Sequence, residues 1–316
     1  MKVAVLMGGR SLERAVSLRS GARVEDALTD LGHDVVAIDA DESLVSRLKN
    51  ERPDVAFIAL HGPGGEDGTV QSLLELLGIP YTGPGVAACV LCMDKVQSKH
   101  RMREAGIPTP DWVAFGAAAF RELGAADAIA EIEAGLGLPL VVKPASQGSA
   151  LGVRFAGSAQ EVPQALIAAL SYDDRVLIER HVRGRELAVS IVAGEPLPIV
   201  EAIPESGDEF NYDARYEIGR TAYACPADLG TEQTAAVLDA SVRTWEALGC
   251  EGFARVDLML GQGEGDGADA AGGGPQVLEV NSIPGLTDTS LLPMAAEAAG
   301  LSFERFVERA LELALS

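Results

Sequence analysis

Between Phe253 and Ser290 the chain sets oxygen-bearing side chains at alternate positions of two apolar arms, FARVDLML and QVLEVN. A glycine- and alanine-rich stretch from Gly261 to Gly274 separates them. In the first arm Val256, Leu258 and Leu260 fall on one face and Arg255 and Asp257 on the other. In the second, Leu278 and Val280 share the apolar face, leaving Glu279 and Asn281 on the polar one. Paired as a hairpin, the arms bring Asp257, Glu279 and Asn281 together beside Arg255. Two carboxylates and an amide oxygen, with no His or Cys, are hard ligands. They suit Mg2+ accompanied by nucleotide phosphates better than zinc. A solvated polar face would alternate in the same way. The residues after Asn281 favour a site, because Ser282-Ile283-Pro284-Gly285-Leu286-Thr287 is a turn able to aim backbone N–H groups back at it.

The elements needed to hold such a site can be read along the chain. Lys2–Met7 is a short apolar strand closed by Gly8-Gly9, and Ser11 is placed to cap a helix running to about Leu31. Glu13 falls in its first turn. Residues 34–38 and 54–60 read as buried strands, the second ending in the loop His61-Gly62-Pro63-Gly64-Gly65-Glu66-Asp67-Gly68 ahead of a helix over 69–77. Strand–helix alternation predicts a parallel sheet with ligands at the strands' carboxyl ends, where His61 lies. No G-x-G-x-x-G is present, so a dinucleotide fold is not expected. Gly85–Ala105 reads as helical and carries Asp94-Lys95. Leu138–Pro144 is a strand with Lys143 near its end, followed by a small-residue loop to Gly152 that can close over phosphates. This is no Walker A motif, because G-K-[ST] and the following helix are missing. A strand over 176–182 ends in groups that could hold a base, and the polar run 205–222 has the length of a lid. Residues 303–315 form an amphipathic last helix. The 261–274 stretch reads as a disordered hairpin tip.

Composition narrows the partners. The chain has 316 residues, 47% of them hydrophobic, enough for two or three domains. A formal net charge of −22 makes nucleic acid an improbable partner, so any phosphate must be held by a few local cations. No apolar run approaches the ~18 residues of a membrane span. Without a leader-like N-terminus, and with four cysteines read as reduced thiols, the expected location is the cytoplasm. Cys89-x-x-Cys92 has no second pair and is read as packing.

Together these pieces resemble the D-alanine–D-alanine ligases of the ATP-grasp superfamily over nearly the whole length. The resemblance is carried by Gly8-Gly9 with Ser11, Glu13 and Val16-Ser17-Leu18, by the His61–Gly68 loop, and by Tyr81-Thr82-Gly83. It continues in Met93-Asp94-Lys95, Lys143-Pro144, Gly148-Ser149, Glu179 and Tyr212–Tyr216. It closes with Arg255-Val256-Asp257, Glu279-Val280-Asn281 and Pro284-Gly285-Leu286-Thr287.

The family implies an α/β, three-domain ATP-grasp architecture. Its parts would be an N-terminal parallel-sheet domain over 1–94, a central subdomain over 95–184 and a C-terminal subdomain over 185–316. It further implies that Lys95, Lys143 and the lid residue Arg215 meet ATP phosphates, and that Glu179, Val182 and Glu186 line the adenosine pocket. Asp257, Glu279 and Asn281 would bind two Mg2+ ions, with Mn2+ as an alternative. Glu13 would hold the ammonium of a first D-alanine with His61 nearby. Ser290 and Leu291 would hold the carboxylate of a second. Glu13, Ser149 and Tyr216 would form a triad joining the three parts, and Arg255 with the Gly285 backbone would stabilise an oxyanion. A homodimer is also implied. The resemblance leaves two other readings, a ligase joining D-alanine to D-lactate or D-serine and a catalytically silent nucleotide-binding protein. Ala150 stands where relatives often carry serine, Gln147 where an acid is common, and Arg215 where the lid lysine is usual.

Overall fold

The computed structural model describes residues 1–122, 129–204, 221–261 and 273–316. Three sheets organise the described residues. The first is parallel, order β2-β1-β3, from β1 (Lys2–Met7), β2 (Asp34–Asp39) and β3 (Val55–Ile58). The connections are α1 (Arg14–Asp30) and α2 (Leu44–Glu51), with α3 (Thr69–Leu77) after the glycine loop. Their apolar residues fill both faces of β1, whose Val3 to Leu6 are fully buried, as a covered parallel strand requires.

Two helices follow where the sequence reads as one: α4 (Val86–Met93) and α5 (Lys95–Glu104). The break is Asp94. Its backbone is extended, and its carboxylate accepts from the N–H groups of Val96 and Gln97, capping α5. The cap puts Lys95 in the first turn of α5.

The second sheet is antiparallel, order β4-β7-β5-β6, from β4 (Trp112–Gly116), β5 (Leu140–Pro144), β6 (Arg154–Ala156) and β7 (Arg175–Arg180). It is backed by α6 (Ala117–Glu122), α7 (Ile129–Leu136) and α8 (Val162–Ala169). The third, also antiparallel, runs β11-β10-β8-β12-β13, with β9 paired to β8. Its strands are β8 (Gly184–Val192), β9 (Glu195–Pro196), β10 (Val200–Pro204), β11 (Thr221–Ala224), β12 (Phe253–Gly261) and β13 (Pro275–Asn281). The helix α9 (Thr231–Ala247) covers one side of this sheet.

The chain ends in α10 (Leu291–Ala298) and α11 (Phe303–Leu315). The terminal helix returns to the first sheet, where Phe306, Val307 and Leu311 pack with Val3, Val5, Phe57 and Leu28. Phe306 is fully buried against Phe253 in an edge-on contact. Phe306→Ala should therefore destabilise the fold by about 3–5 kcal/mol in a denaturant titration, the cost of a large aromatic cavity.

Two further readings of local structure change. Ser11 does not cap α1: its hydroxyl donates to the His61 carbonyl (2.6 Å) and accepts from the Glu13 N–H (3.1 Å). Glu13 is itself the residue before the helix. The apolar face of β13 also differs. The β12–β13 register shifts between Asp257 and Leu258, so Leu278 is the extra residue of a bulge. Val277 and Val280 fill the core, while Leu278 turns into a cleft beside Glu279. The glycine-rich residues 262–272, and most of the expected lid at 205–220, lie outside the described residues.

Candidate active site

A cavity of about 380 Å³ opens between the two antiparallel sheets. The second sheet and its loops supply Val141, Lys143, Phe155 and Glu179, and the third supplies Glu186, Met259, Asp257 and Glu279. Lys95 reaches it from α5 and Val182 from the link into β8. Its apolar walls with a few inward cations and carboxylates suit a flat heteroaromatic group joined to phosphates. Six residues expected around a nucleotide, Lys95, Lys143, Glu179, Val182, Glu186 and the acid Glu279, thus line one space. Arg215 lies outside the described residues.

The β12–β13 hairpin brings its polar residues together as the alternation predicted. Asp257 stands across from Glu279, and Arg255 across from Asn281. Arg255 donates to both oxygens of Asp257 (2.6 and 2.8 Å), and the Asn281 amide donates to one of them (2.9 Å). Glu279 pairs with the Lys95 ammonium at 3.1 Å. That ammonium also donates to the Gln147 carbonyl (2.6 Å), joining the small-residue loop to the hairpin. Asp257, Glu279 and the Asn281 amide offer three hard oxygen donors on adjacent positions. This set fits a hard divalent cation and is too small to cage one, since an octahedral ion needs about six oxygens. The remaining ligands would come from phosphate and water. Among the described residues, no group of three or more His, Cys, Asp or Glu could hold a metal by itself.

Arg255 and Asp257 also border a smaller cavity of about 50 Å³, with Gly285, Ser290, Leu291, Ala188, Ala202 and Tyr223 around it. Ser290 precedes α10 and accepts from the Thr287 N–H at 3.0 Å. Gly285 sits so close that a Cβ there would stand 2.8 Å from the Ser290 hydroxyl. A guanidinium, a helix N-terminus and backbone amides around a small space can hold a carboxylate and an oxyanion.

Glu13 and Ser149 lie near this centre and line neither cavity. Ser149, in a left-handed conformation at the tip of its loop, donates to Glu13. Gly148 and Gly62 crowd the same carboxylate, and a Cβ on either would come within 3 Å of it. The other oxygen of Glu13 is buried without a hydrogen-bond partner among the described residues. Burial, and next the negative charge of Glu66, push the Glu13 carboxyl up to about 7. Ser149, His61 and Lys95 oppose that shift. Tyr216 lies outside the described residues.

His61 lies beside Glu13, close enough to act on its charge. Its Nδ1 is 3.1 Å from the Ile283 carbonyl, so it donates there. Its Nε2 accepts from the Ser20 hydroxyl at 2.9 Å, and Ser20 accepts from the Leu286 N–H. With both nitrogens engaged inside the protein, His61 ties the 283–287 turn to the first sheet. Arg23 adds to the tie through the Leu286 carbonyl and Asp288. Ser20 and Arg23 were not singled out in the sequence. The signal available was Ser17 and Ser20, polar residues on an otherwise apolar face of α1. Lys99 was also missed and is fully buried behind Glu179.

A cleft between two antiparallel sheets, with lysines on one side and hard oxygen donors on the other, defines an ATP-grasp ligase. Family models agree: D-ala D-ala ligase N-terminus matches residues 40–84 and D-ala D-ala ligase C-terminus matches 102–312. A D-alanine–D-alanine ligase of Synechococcus sp. (strain JA-3-3Ab) is 45% identical over 318 residues, covering 100% of this chain and 94% of that protein. The crystal structure of D-alanine–D-alanine ligase from Bacillus anthracis complexed with ATP superposes with a TM-score of 0.82 at 35% identity, covering 100% of this chain and 97% of that one. VanG D-Ala:D-Ser ligase from Enterococcus faecalis follows with 0.80 at 28%, covering 99% of each. The chain belongs to the D-alanine–D-alanine ligase family.

Proposed function

We propose that the chain joins two D-alanine molecules to D-alanyl-D-alanine with ATP, through an acyl phosphate, and so supplies peptidoglycan precursors. The observation that supports the first-substrate site best is the buried oxygen of Glu13 that has no hydrogen-bond partner among the described residues. An ammonium placed there would supply both the missing hydrogen bond and the opposing charge.

The chemistry assigns the remaining parts. A carboxylate is a poor electrophile until an oxygen of it takes the terminal phosphoryl group, releasing ADP. Lys95 and Lys143 would hold the phosphates, with Glu179, Val182 and Glu186 around adenosine and Arg215 closing from the lid. The Asp257, Glu279 and Asn281 oxygens would hold Mg2+, which supplies charge neutralisation at the phosphates when bound. Ser290 and Leu291 would fix the second D-alanine by its carboxylate. After losing a proton its amine attacks the acyl carbon. Arg255 and the Gly285 backbone would stabilise the resulting oxyanion until phosphate leaves. Glu13, Ser149 and Tyr216 would join substrate, loop and lid, keeping water from the acyl phosphate.

Domain limits at 1–94, 95–184 and 185–316 belong to the same reading, supported by one sheet in each segment. So do a homodimer and a cytoplasmic location. No helix among the described residues is long and apolar enough to cross a membrane.

The Glu13 carboxyl gives a pH test. With its pKa raised to about 7, it is protonated below that value and stops accepting from an ammonium. The KM for the first D-alanine should rise about fivefold from pH 7 to pH 6, and about tenfold for each further unit. The folded state favours the protonated form, so this group's contribution to stability runs the other way. It is complete below the ordinary carboxyl value and lost as the pH rises through 7. Initial rates against D-alanine concentration from pH 5.5 to 8 check the first trend. A flat KM would remove Glu13 from the ammonium site.

A further inference from the structure

Lys99 lies one turn beyond Lys95 on the same face of α5 but does not line the cleft, and its side chain is fully buried. Its ammonium is 2.9 Å from Oε2 of Glu179, donates to the Thr109 hydroxyl at 2.6 Å and to the Pro110 carbonyl at 3.2 Å, and stands 5.2 Å above the Trp112 ring. Thr109 is fixed in turn by donating to the Val277 carbonyl (2.8 Å) on β13. The other oxygen of Glu179 pairs with Lys143. One buried carboxylate thus serves two buried ammonium groups, one at the cavity wall and one behind it.

Charge counting shows what the second cation is for. Burial pushes Glu179 up, but Lys143 and then Lys99 outweigh it and leave the carboxyl below its ordinary range. Lys99, buried with a shared partner and repelled by Lys143, is pushed down to about 8 and stays mainly charged at neutral pH. Without a ligand the cluster carries one surplus positive charge, which an arriving phosphate can match by engaging Lys143. Glu179 then keeps one cation, Lys99. Were Lys99 neutral, the departure of Lys143 would strand a buried carboxylate, which would take up a proton. Glu179 would change from a hydrogen-bond acceptor to a donor.

We infer that Lys99 is a positioning residue of the nucleotide site, holding Glu179 anionic and oriented so that the pocket favours a purine with an exocyclic amine over one with a carbonyl. This rests on the reading of Glu179 as part of the adenosine pocket. Within it, a 6-amino group donates to the carboxylate, whereas a 6-oxo group faces it acceptor to acceptor.

The test compares ATP with inosine triphosphate, which replaces the amine by a carbonyl, in the full-length protein at saturating D-alanine and Mg2+. In Lys99→Met the ATP KM should rise, with a larger effect on KM than on kcat. The ratio of kcat/KM for ATP over inosine triphosphate should fall by at least ~10-fold, the scale of one charged hydrogen bond. Lys99→Met added to Glu179→Gln should change that ratio no further than Glu179→Gln alone, because Lys99 acts through Glu179. Thr109→Val, which removes one anchor of Lys99, should shift the ratio the same way by less, and decides the matter if Lys99→Met does not fold. A native ratio in both Lys99→Met and Thr109→Val, with Glu179→Gln altered, would overturn the role of Lys99 alone. Additive effects in the double variant would do so as well. A native ratio in Glu179→Gln would overturn the adenosine-pocket reading, and the inference with it.

Discussion

Replacing Glu279 by Gln should lower turnover by at least ~100-fold while leaving the fold intact, the scale seen when one major electrostatic element is removed from a reacting centre. The side chain sits opposite Asp257 on the hairpin and 3.1 Å from Lys95. The substitution keeps shape and removes one charge. In the present structure Asp257 is matched by Arg255 and Glu279 by Lys95, so each carboxylate already has a cation. A divalent cation with nucleotide phosphates would redistribute these pairs, Lys95 turning to phosphate and Glu279 to the metal. Gln cannot make that exchange, because its neutral oxygen is a much weaker ligand for Mg2+. Half-buried Glu279 is not part of the apolar core, so the melting temperature should change little. Turnover and thermal melts in saturating Mg2+ measure both quantities. Near-native turnover would remove Glu279 from the metal site.

Glu13→Gln should raise the KM for the first D-alanine by roughly 10- to 150-fold, the equivalent of ~1.5–3 kcal/mol for a hydrogen bond to a charged group. It should also abolish the rise of KM below pH 7, since the titrating group is gone. Gln preserves an acceptor for Ser149, so the loop contact survives and the loss reports the ammonium partner. The KM for ATP should move far less, because Glu13 does not line the larger cavity. Equal increases for both substrates would mean that Glu13 only holds the loop.

How much of this could be read from the sequence depends on the kind of signal. The hairpin was legible because Arg255 and Asp257 alternate with Val256, Leu258 and Leu260, all three of which are buried. Its second arm was legible for Glu279 and Asn281 but not for Leu278, since a bulge inserts a residue without changing composition. Asp94 and Lys95 were recognised as a motif. That Asp94 ends one helix and caps the next is a matter of its backbone conformation, which helical periodicity does not reveal. His61 was placed by its position at the end of a strand, yet only the fold shows Ile283 and Ser20 taking its two nitrogens. Lys99 was passed over because a lysine in a polar helix reads as solvent-facing, and only the approach of Glu179 from another sheet makes it a buried cation. Each residue missed acts through a partner distant in the chain.

The proposed reaction turns on a preference for an amine as the second nucleophile. The segment from Phe210 to Arg220, which the sequence reading assigns to a lid, has no histidine, so it offers a lactate anion no imidazolium at neutral pH. The deciding measurement is a single incubation at pH 7 with ATP, Mg2+ and equal D-alanine and D-lactate, its products separated by chromatography. D-alanyl-D-alanine should be the main product, with one ADP and one phosphate released for each dipeptide. A predominance of D-alanyl-D-lactate, or no ADP release with D-alanine present, would contradict that preference and the ligase reading built on it.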